Sequence, residues 1–320
     1  MKYRRLGNSG LQVSEISLGS WLTFGQGGYV DRKEAYTIID RAFDAGINFF
    51  DTANIYTRGE AEKLVGEALA SRPRSSYVLA TKVWGQMGDG PNDRGLSRKH
   101  IFEQCEASLS RLKMDYIDLY YCHSYDPNTP VEETLRAMDD LVRQGKVLYV
   151  GVSNWTAAQI TEAVHLADRK LLDRMVASQP PYNLLRRDIE DELIPVCERY
   201  GIGQVVYSPL AQGVLTGKYQ SVSEAPAGSR AATERGGQTI KRYLTDENLE
   251  KISAMSRLAE EHGMTMTQLA LAWTLRQPNV ASAIIGASRP EQLEENASAS
   301  GLALTKDVLE TIGRILGGTA

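Results

Sequence analysis

The chain has 320 residues, a length that one barrel of alternating strands and helices can fill, so a single domain over residues 1–320 is expected. Apolar residues make up 42% and charged residues 24%, which is typical of a globular protein and disfavours disorder. The formal net charge of -4 leaves no broad basic field for a phosphate backbone, so nucleic acid is not expected as a partner.

Metal, disulfide and membrane features are not predicted. The cysteines are odd in number and lack C-x-x-C spacing, which disfavours a disulfide framework or a zinc site: Cys105, Cys122 and Cys197. The histidines show no ligand spacing with cysteines or carboxylates: His100, His123, His165 and His262. The first residues lack an apolar segment, and no stretch approaches the ~18 apolar residues that span a bilayer. A cytoplasmic protein is therefore expected.

Short apolar runs alternate with longer helical patterns along the chain. A turn at Asn8-Ser9-Gly10 predicts a small N-terminal hairpin. Eight strands are predicted near 16–18, 47–50, 77–81, 117–121, 147–150, 175–178, 204–207 and 283–285. Helices are predicted at 33–44, 60–70, 98–112, 131–143, 157–167, 188–199, 248–262 and 306–316.

This alternation requires parallel strands with helical crossovers, and eight units close into a barrel. The predicted fold is therefore α/β, a (β/α)8 TIM barrel with an N-terminal β-hairpin and an extra C-terminal helix. The rival is an open doubly wound sheet, which uses a G-x-G-x-x-G turn after a strand. The nearest string, GIGQVV from Gly201, precedes its strand and is more typical of a helix C-cap. Residues 221–237, rich in Gly, Ser, Ala and Arg, are predicted to form a mobile loop.

Ionisable side chains follow three neighbouring strands where those strands end. Asp51 and Tyr56 follow INFF, Lys82 ends VLATK and His123 ends DLYYCH. Each residue also has a purely structural explanation: Asp51 as a cap of the next helix, Tyr56 as an aromatic at the rim, Lys82 as an amine that reaches solvent, and His123 as a buried histidine. Because loops at the carboxyl ends of barrel strands build the active site, their shared position favours one site at the barrel mouth.

The chemistry that suits this set is carbonyl reduction. Hydride delivery to the carbonyl carbon builds negative charge on the oxygen, and Tyr56 is expected to quench it with a proton. The ammonium of Lys82 is expected to bring the phenol pKa, ordinarily about 10, closer to neutral. Asp51 keeps the buried Lys82 charged, and His123 orients the carbonyl oxygen through a hydrogen bond.

Along essentially its whole length the chain resembles the aldo-keto reductase superfamily. GINFFDTANIYTRGEAEKLVGEAL is similar to the family's first signature, VLATKVW to its lysine signature and YIDLYYCHSYDPNTP to its histidine strand. PNTPVEETLRAM and YSPLAQGVLTGKY resemble the subgroup of voltage-gated potassium-channel β subunits and related bacterial reductases. The resemblance implies the catalytic tetrad Asp51, Tyr56, Lys82 and His123, and NADPH-dependent reduction of aldehydes or ketones.

The resemblance also implies a binding site for NADPH/NADP+. The nicotinamide amide would be held by Ser153, Asn154 and Gln179, and Tyr207 would stack on the nicotinamide ring. The pyrophosphate would be wrapped by a loop that contains Ser208, Pro209, Leu210, Gly213 and Lys218. The adenosine would be clamped by a final segment that contains Gly286, Ser288, Arg289, Gln292, Glu295 and Asn296. A cationic Arg289 beside a hydroxyl suits a 2′-phosphate and favours NADP(H) over NAD(H). Alternatively, Ser288 only caps the next helix and Arg289 is solvated. Arg230 is expected to close over the cofactor.

Trp21 and Trp84 are implied to wall the substrate pocket, although plain core packing also explains each of them. Apolar walls suit small aldehydes and ketones better than highly charged substrates. The identity of the carbonyl substrate stays open. Related barrels occur as monomers and as ring-like assemblies, so a homo-oligomer is one of the states that the resemblance allows.

Two other functions compete with reduction. A lysine at a barrel strand end can form a Schiff base, but a carboxylate beside Lys82 opposes the uncharged amine that this needs. The second alternative is an NADP(H)-binding, redox-sensing subunit of a channel-type assembly with little turnover. His123 favours catalysis, because channel-type subunits are among the members that carry asparagine there. A partner-binding subunit is also expected to carry an added N-terminal arm, whereas this chain begins almost directly at the hairpin.

Overall fold

Eight parallel strands close into a barrel. The computed structural model describes residues 1–25, 29–224, 226, 229–232 and 234–317, without the side chains of residues 230 and 234–236. The barrel strands are β3 (Ile16–Gly19), β4 (Phe49–Asp51), β5 (Val78–Val83), β6 (Ile117–Cys122), β7 (Val147–Ser153), β8 (Ala177–Gln179), β9 (Gly203–Tyr207) and β10 (Val280–Ile285). The strands pair in sequence order, and β10 returns to β3. The predicted (β/α)8 TIM barrel is confirmed, and the doubly wound sheet is wrong.

The N-terminal hairpin closes the amino end of the barrel. Its strands β1 (Tyr3–Arg5) and β2 (Gln12–Ser14) pair antiparallel, as predicted. Leu6 and Val13 are fully buried among the side chains of the barrel interior. Arg4 donates to the carbonyl oxygen of Val280 at 2.8 Å and pairs with the buried carboxylate of Glu15, also at 2.8 Å. The hairpin is thus tied to the last barrel strand.

Helices cover the outside of the barrel: α1 (Arg32–Asp44), α2 (Glu60–Leu69), α3 (Arg98–Leu112), α4 (Val131–Arg143), α5 (Ala157–Lys170), α6 (Leu193–Tyr200), α7 (Glu234–Ile240), α8 (Asp246–Glu261), α9 (Met266–Leu275), α10 (Pro290–Ser298) and α11 (Lys306–Ile315). Side-chain caps fix several starts; Asp31, Thr156 and Thr265 each form a capping box. Gly201 ends α6 in the left-handed conformation, as GIGQVV predicted.

Three of the described helices lie outside the predicted ranges: α7, α9 and the short α10. Nine of the ten residues of α9 are buried, and only Gln268 is partly exposed, so its sequence MTQLALAWTL shows no polar face from which a helical period could be recognised. Helix α7 begins inside the segment predicted as a loop. Across the described ranges, no helix has the length and apolar content to cross a bilayer.

Candidate functional site

The predicted tetrad meets at the carboxyl end of the barrel. Asp51 ends β4, Lys82 lies near the end of β5 and His123 follows β6 directly. Tyr56 begins a short 3-10 turn after β4, in which Thr57 and Arg58 have φ values of 46° and 53°. This left-handed backbone is rare for side chains other than glycine, and such strain is typical of functional loops.

Lys82 is the centre of the cluster, and its side chain is completely buried. Its Nζ forms an ion pair with Oδ1 of Asp51, donates to the Thr52 carbonyl oxygen at 2.7 Å and lies 3.2 Å from the Tyr56 hydroxyl. Three acceptors match the three N–H donors of an ammonium. Burial lowers the pKa of Lys82, but the nearby Asp51 and Tyr56 outweigh it and leave this pKa above its ordinary value. Lys82 is therefore charged at neutral pH.

Tyr56 remains a protonated phenol. Burial raises its pKa; the Lys82 ammonium opposes this rise but does not overcome it. The expectation that Lys82 brings this pKa below its ordinary value, toward neutral, is wrong, because the cost of burying a phenolate is larger. A phenol that keeps its proton until a substrate takes it has the protonation state that a general acid requires.

His123 lies edge-on to Tyr56, with ring centres 5.7 Å apart and an angle of 75° between the planes. Burial, with a smaller contribution from the Lys82 charge, lowers the pKa of His123 to about 3. The imidazole is therefore neutral at physiological pH. A neutral ring still has one N–H, which is sufficient to hydrogen-bond a carbonyl oxygen without adding a second charge to the site.

Residues implied to hold the nicotinamide amide are linked to the tetrad. Gln179 Nε2 donates to Oδ2 of Asp51 at 2.9 Å, and Ser153 Oγ donates to the backbone oxygen of Gln179 at 2.8 Å. Asn154 Nδ2 donates to the His123 carbonyl oxygen at 3.1 Å. The Tyr207 hydroxyl donates to Asn154 Oδ1 at 2.9 Å. Sequence reasoning missed the link from Gln179 to Asp51, because strand pairing order does not say which side chains meet across a barrel.

The loop after β9 has an unusual backbone. Ser208, Ala211, Gln212 and Gly213 have φ values of 55°, 46°, 61° and 96°. A Cβ added at Gly213 would lie 3.3 Å from the Lys218 ammonium, so glycine here leaves room beside that charge. Successive left-handed residues next to an ammonium form the kind of concave, positively polarised turn that accommodates phosphate oxygens. Pro209 and Leu210 lie within the same loop.

Asn183, a second residue that the sequence did not reveal, holds the loop after β9 in place. Asn183, fully buried after β8, donates from Nδ2 to the carbonyl oxygen of Ser208 at 2.9 Å and accepts from the Leu185 backbone N–H, also at 2.9 Å. Asn183 therefore fixes the residue at which the left-handed backbone begins. Its position in YNLL carries no motif from which this contact could be recognised.

The segment after β10 presents an exposed guanidinium. Ser288 donates from its N–H and Oγ to Gln292 Oε1, at 2.9 and 3.1 Å. Arg289, not Ser288, is the N-cap of α10, so the alternative is wrong about Ser288, although the exposed side chain of Arg289 agrees with its second part. Arg289 is exposed and forms no ion pair with any residue in the described ranges. Gly286 is also exposed, Glu295 is half-buried and Asn296 is buried. The side chain of Arg230 lies outside the described part of the chain.

The predicted substrate-wall tryptophans are both half-buried. Trp84 follows β5 and has a φ of 155°, outside the conformations that large side chains usually adopt. The cysteines lie elsewhere and are buried, and burial raises the pKa of Cys105 and Cys122 to about 12 and that of Cys197 to about 11. Their thiols are therefore protonated and unreactive.

A parallel barrel that joins a charged lysine, a carboxylate and a protonated phenol at its carboxyl end has the architecture of a barrel enzyme that transfers protons. The model of the Aldo/keto reductase family matches residues 15–316. The chain belongs to this family, whose membership supports oxidoreductase activity and whose proteins generally use NAD(P)H.

Similar proteins of known name come from plants and yeast. The chain is 46% identical over 322 residues to a protein of Arabidopsis thaliana named "Probable voltage-gated potassium channel subunit beta", covering 99% of this chain and 97% of that protein. A protein of the same name from Oryza sativa subsp. japonica is 45% identical, with the same coverage. A Schizosaccharomyces pombe protein, also named as a channel β subunit, is 44% identical over 98% of this chain and 93% of its own length.

Proposed function

We propose that the chain catalyses NADPH-dependent reduction of aldehydes and ketones to alcohols, with Tyr56 as the proton donor. The observation that carries this proposal is the position of Lys82 Nζ, paired with Asp51 on one side and 3.2 Å from the Tyr56 hydroxyl on the other. An ammonium in this position stabilises the phenolate that remains once the proton has left. The oxidoreductase class of the family agrees with the reaction.

Each tetrad residue has a part in the proposed step. Bound NADPH supplies the hydride for the carbonyl carbon. Tyr56 gives its proton to the carbonyl oxygen, and Lys82 stabilises the negative charge left on the phenol. Asp51 keeps Lys82 charged, and the neutral His123 donates a hydrogen bond that orients the same carbonyl oxygen.

The residues present fit the nucleotide. Ser153, Asn154 and Gln179 line the nicotinamide side of the mouth, where Tyr207 offers a ring for stacking. The left-handed backbone at 211–213 is suited to the pyrophosphate. The exposed guanidinium of Arg289, free of any ion pair with described residues, suits the 2′-phosphate and supports NADPH over NADH.

The experiment is to follow NADPH absorbance after adding an aromatic aldehyde, with wild type, Tyr56→Phe and Tyr200→Phe. Tyr56→Phe should lower kcat by about 10³-fold, since general-acid catalysis contributes roughly 10²–10⁴, and should leave the Kd for NADPH unchanged. Tyr200→Phe removes a hydroxyl that contacts His165 at 3.2 Å on the barrel exterior, and it should keep wild-type turnover. Wild-type kcat in Tyr56→Phe would refute the assignment.

The names of the similar proteins favour a second candidate, an NADP(H)-binding regulatory subunit of a channel-type assembly with little turnover. Quenching of tryptophan fluorescence by NADPH, followed by a panel of carbonyl compounds in the same cuvette, separates the two functions. Binding with aldehyde-dependent NADPH oxidation supports the reductase. Binding without oxidation of NADPH by any member of the panel supports the regulatory subunit.

A further inference from the structure

The loop between β5 and α3 places an arginine on the wall of the barrel mouth. The guanidinium carbon of Arg94 lies 4.5 Å from the centre of the Trp84 ring. Trp84 follows Lys82 by two residues, ~6.6 Å along an extended chain, so the stacked pair lies in the loop that leaves the carboxyl end of β5. Arg94 itself is exposed to solvent.

The backbone around this pair is firmly held. The Gly95 N–H donates to the Trp84 carbonyl oxygen at 2.9 Å, and the Leu96 N–H donates to Oδ2 of Asp126 at 2.8 Å. Gly95 has a φ of +95°, and a Cβ there would lie 2.5 Å from Asp126 Oδ2, so this turn requires glycine. Arg94 therefore extends from a fixed turn. It stacks on the ring of Trp84, a residue whose backbone φ of 155° is unusual for a large side chain.

Within the described ranges, no carboxylate contacts Arg94. It donates no hydrogen bond and forms no ion pair there, and its contact is the face of the Trp84 ring. The two neighbouring carboxylates accept bonds from other groups. Asp126 accepts from Leu96, Asn128 and Thr129 at 2.8, 3.0 and 2.8 Å, and Asp93 accepts from the Gly90 N–H at 2.8 Å. Asp126 attracts Arg94 at a distance without contacting it.

We propose that Arg94 binds a carboxylate on the carbonyl substrate, so that the enzyme prefers aldehydes and ketones that carry a negative charge away from the reacting carbon. The proposal rests on the proposed reductase function and names its substrate class. The N–H donors of a guanidinium lie in the plane of that group, so they remain available when the group stacks on an aromatic ring. Two of these donors match the two oxygens of a carboxylate. The sequence expectation of apolar walls that disfavour charged substrates did not include this arginine.

Two aldehydes of matched shape test the proposal: 4-carboxybenzaldehyde, which is anionic at neutral pH, and its methyl ester, which is neutral. In wild type, kcat/KM should favour the acid by about tenfold, the usual range for one hydrogen-bonded charge pair. The preference should fall as salt is added, because ions screen an exposed pair. No preference for the acid in wild type would overturn the proposal.

The variants are Arg94→Gln, Arg94→Lys and the control Arg98→Gln. Arg94→Gln should lower kcat/KM about tenfold for the acid and leave the ester unchanged, whereas Arg94→Lys should retain part of the preference. Arg98 also stacks on a ring, 4.6 Å from Phe102, but pairs with Asp140 on the barrel exterior, so Arg98→Gln should retain the full preference. Equal losses for both aldehydes in Arg94→Gln would indicate a structural arginine and overturn the proposal.

The same assay distinguishes failure of this inference from failure of the proposed function. Turnover of the ester by wild type depends on the tetrad and not on Arg94. If wild type reduces the ester without preferring the acid, only the charge selection is wrong. If wild type binds NADPH and reduces neither aldehyde, the reductase function fails and the substrate class fails with it.

Discussion

Gln179 on β8 donates a hydrogen bond of 2.9 Å across the barrel mouth to Oδ2 of Asp51 on β4. Lys82 occupies the other oxygen of the same carboxylate. The carboxylate that keeps the lysine charged is therefore held from two sides, one of them a residue implied to contact the nicotinamide. This geometry connects the cofactor side of the mouth with the proton-donating side.

Gln179→Leu should lower kcat by about tenfold, since it leaves one oxygen of a buried carboxylate without a partner, a loss of roughly 1–3 kcal/mol. Steady-state kinetics and the pH profile of kcat measure the effect. Gln204→Leu is the matched control, because Gln204 is a buried glutamine on the neighbouring strand β9 without a contact to the tetrad. If both variants lose activity equally, burial of an amide, not the bond to Asp51, explains the loss.

The rate of reduction should stay level from neutral pH to about pH 10. The pKa of the Tyr56 phenol lies above its ordinary value of 10.0, chiefly through burial, and the pKa of Lys82 lies above 10.5 because Asp51 and Tyr56 outweigh burial. Both groups therefore keep their protons across that range. A pH profile of kcat with a decline centred near pH 7 would contradict this protonation scheme.

His123 should make the fold less stable in acid. Its pKa is about 3 in the folded protein and ordinarily 6.5, so between these values the unfolded chain binds a proton that the folded protein does not. Stability from the neutral ring is complete above pH 6.5 and is lost as pH falls toward 3. Urea unfolding at pH 7 and pH 5 should show a smaller acid loss for His123→Gln than for wild type. His165→Gln, which changes a histidine on the barrel exterior, should behave as wild type.

Gly151→Ala should destabilise the barrel by about 1–3 kcal/mol, the usual cost of overpacking. A Cβ at Gly151 would lie 2.6 Å from Tyr121 Cε1 and 3.0 Å from the Ala177 carbonyl oxygen, inside the core beneath the tetrad. Gly313→Ala is the control, because a Cβ there meets nothing within 4 Å in helix α11 and should stabilise slightly. Denaturant midpoints at equal m-values report both changes, and unchanged stability in Gly151→Ala would contradict the packing described.

Arg289→Ala should weaken NADPH binding at least tenfold and NADH binding little, since the guanidinium is proposed to pair with a phosphate that only NADPH carries. Fluorescence titration with each nucleotide gives the two Kd values. Arg257→Ala removes an arginine on α8 that contacts Ser253 at 3.2 Å, and it should change neither. Similar losses for both nucleotides would point to a general disturbance of the α10 start.

Much of the fold follows from the sequence, because eight apolar runs alternate with amphipathic patterns and few topologies accommodate that order. Helix α9 could not be recognised, since a helix buried on every side has no polar face. The cluster of Asp51, Tyr56, Lys82 and His123 was predictable from strand ends alone. The contact of Gln179 was not, because it joins β8 to β4, two strands that do not pair with each other. The contacts of Asn183 and Arg94 were not, because they join loops whose approach depends on backbone turns such as Gly95 and Ser208.

The hairpin that closes the amino end of the barrel has a kinetic consequence. Leu6 and Val13 fill that end among the described residues, so the ligands of the proposed reaction would approach Tyr56 from the carboxyl end. In that reaction the nucleotide and the carbonyl compound would share the same approach. The proposed function then predicts ordered binding, in which the ligand that lies deeper arrives first and departs last and inhibition by the alcohol product depends on the bound nucleotide.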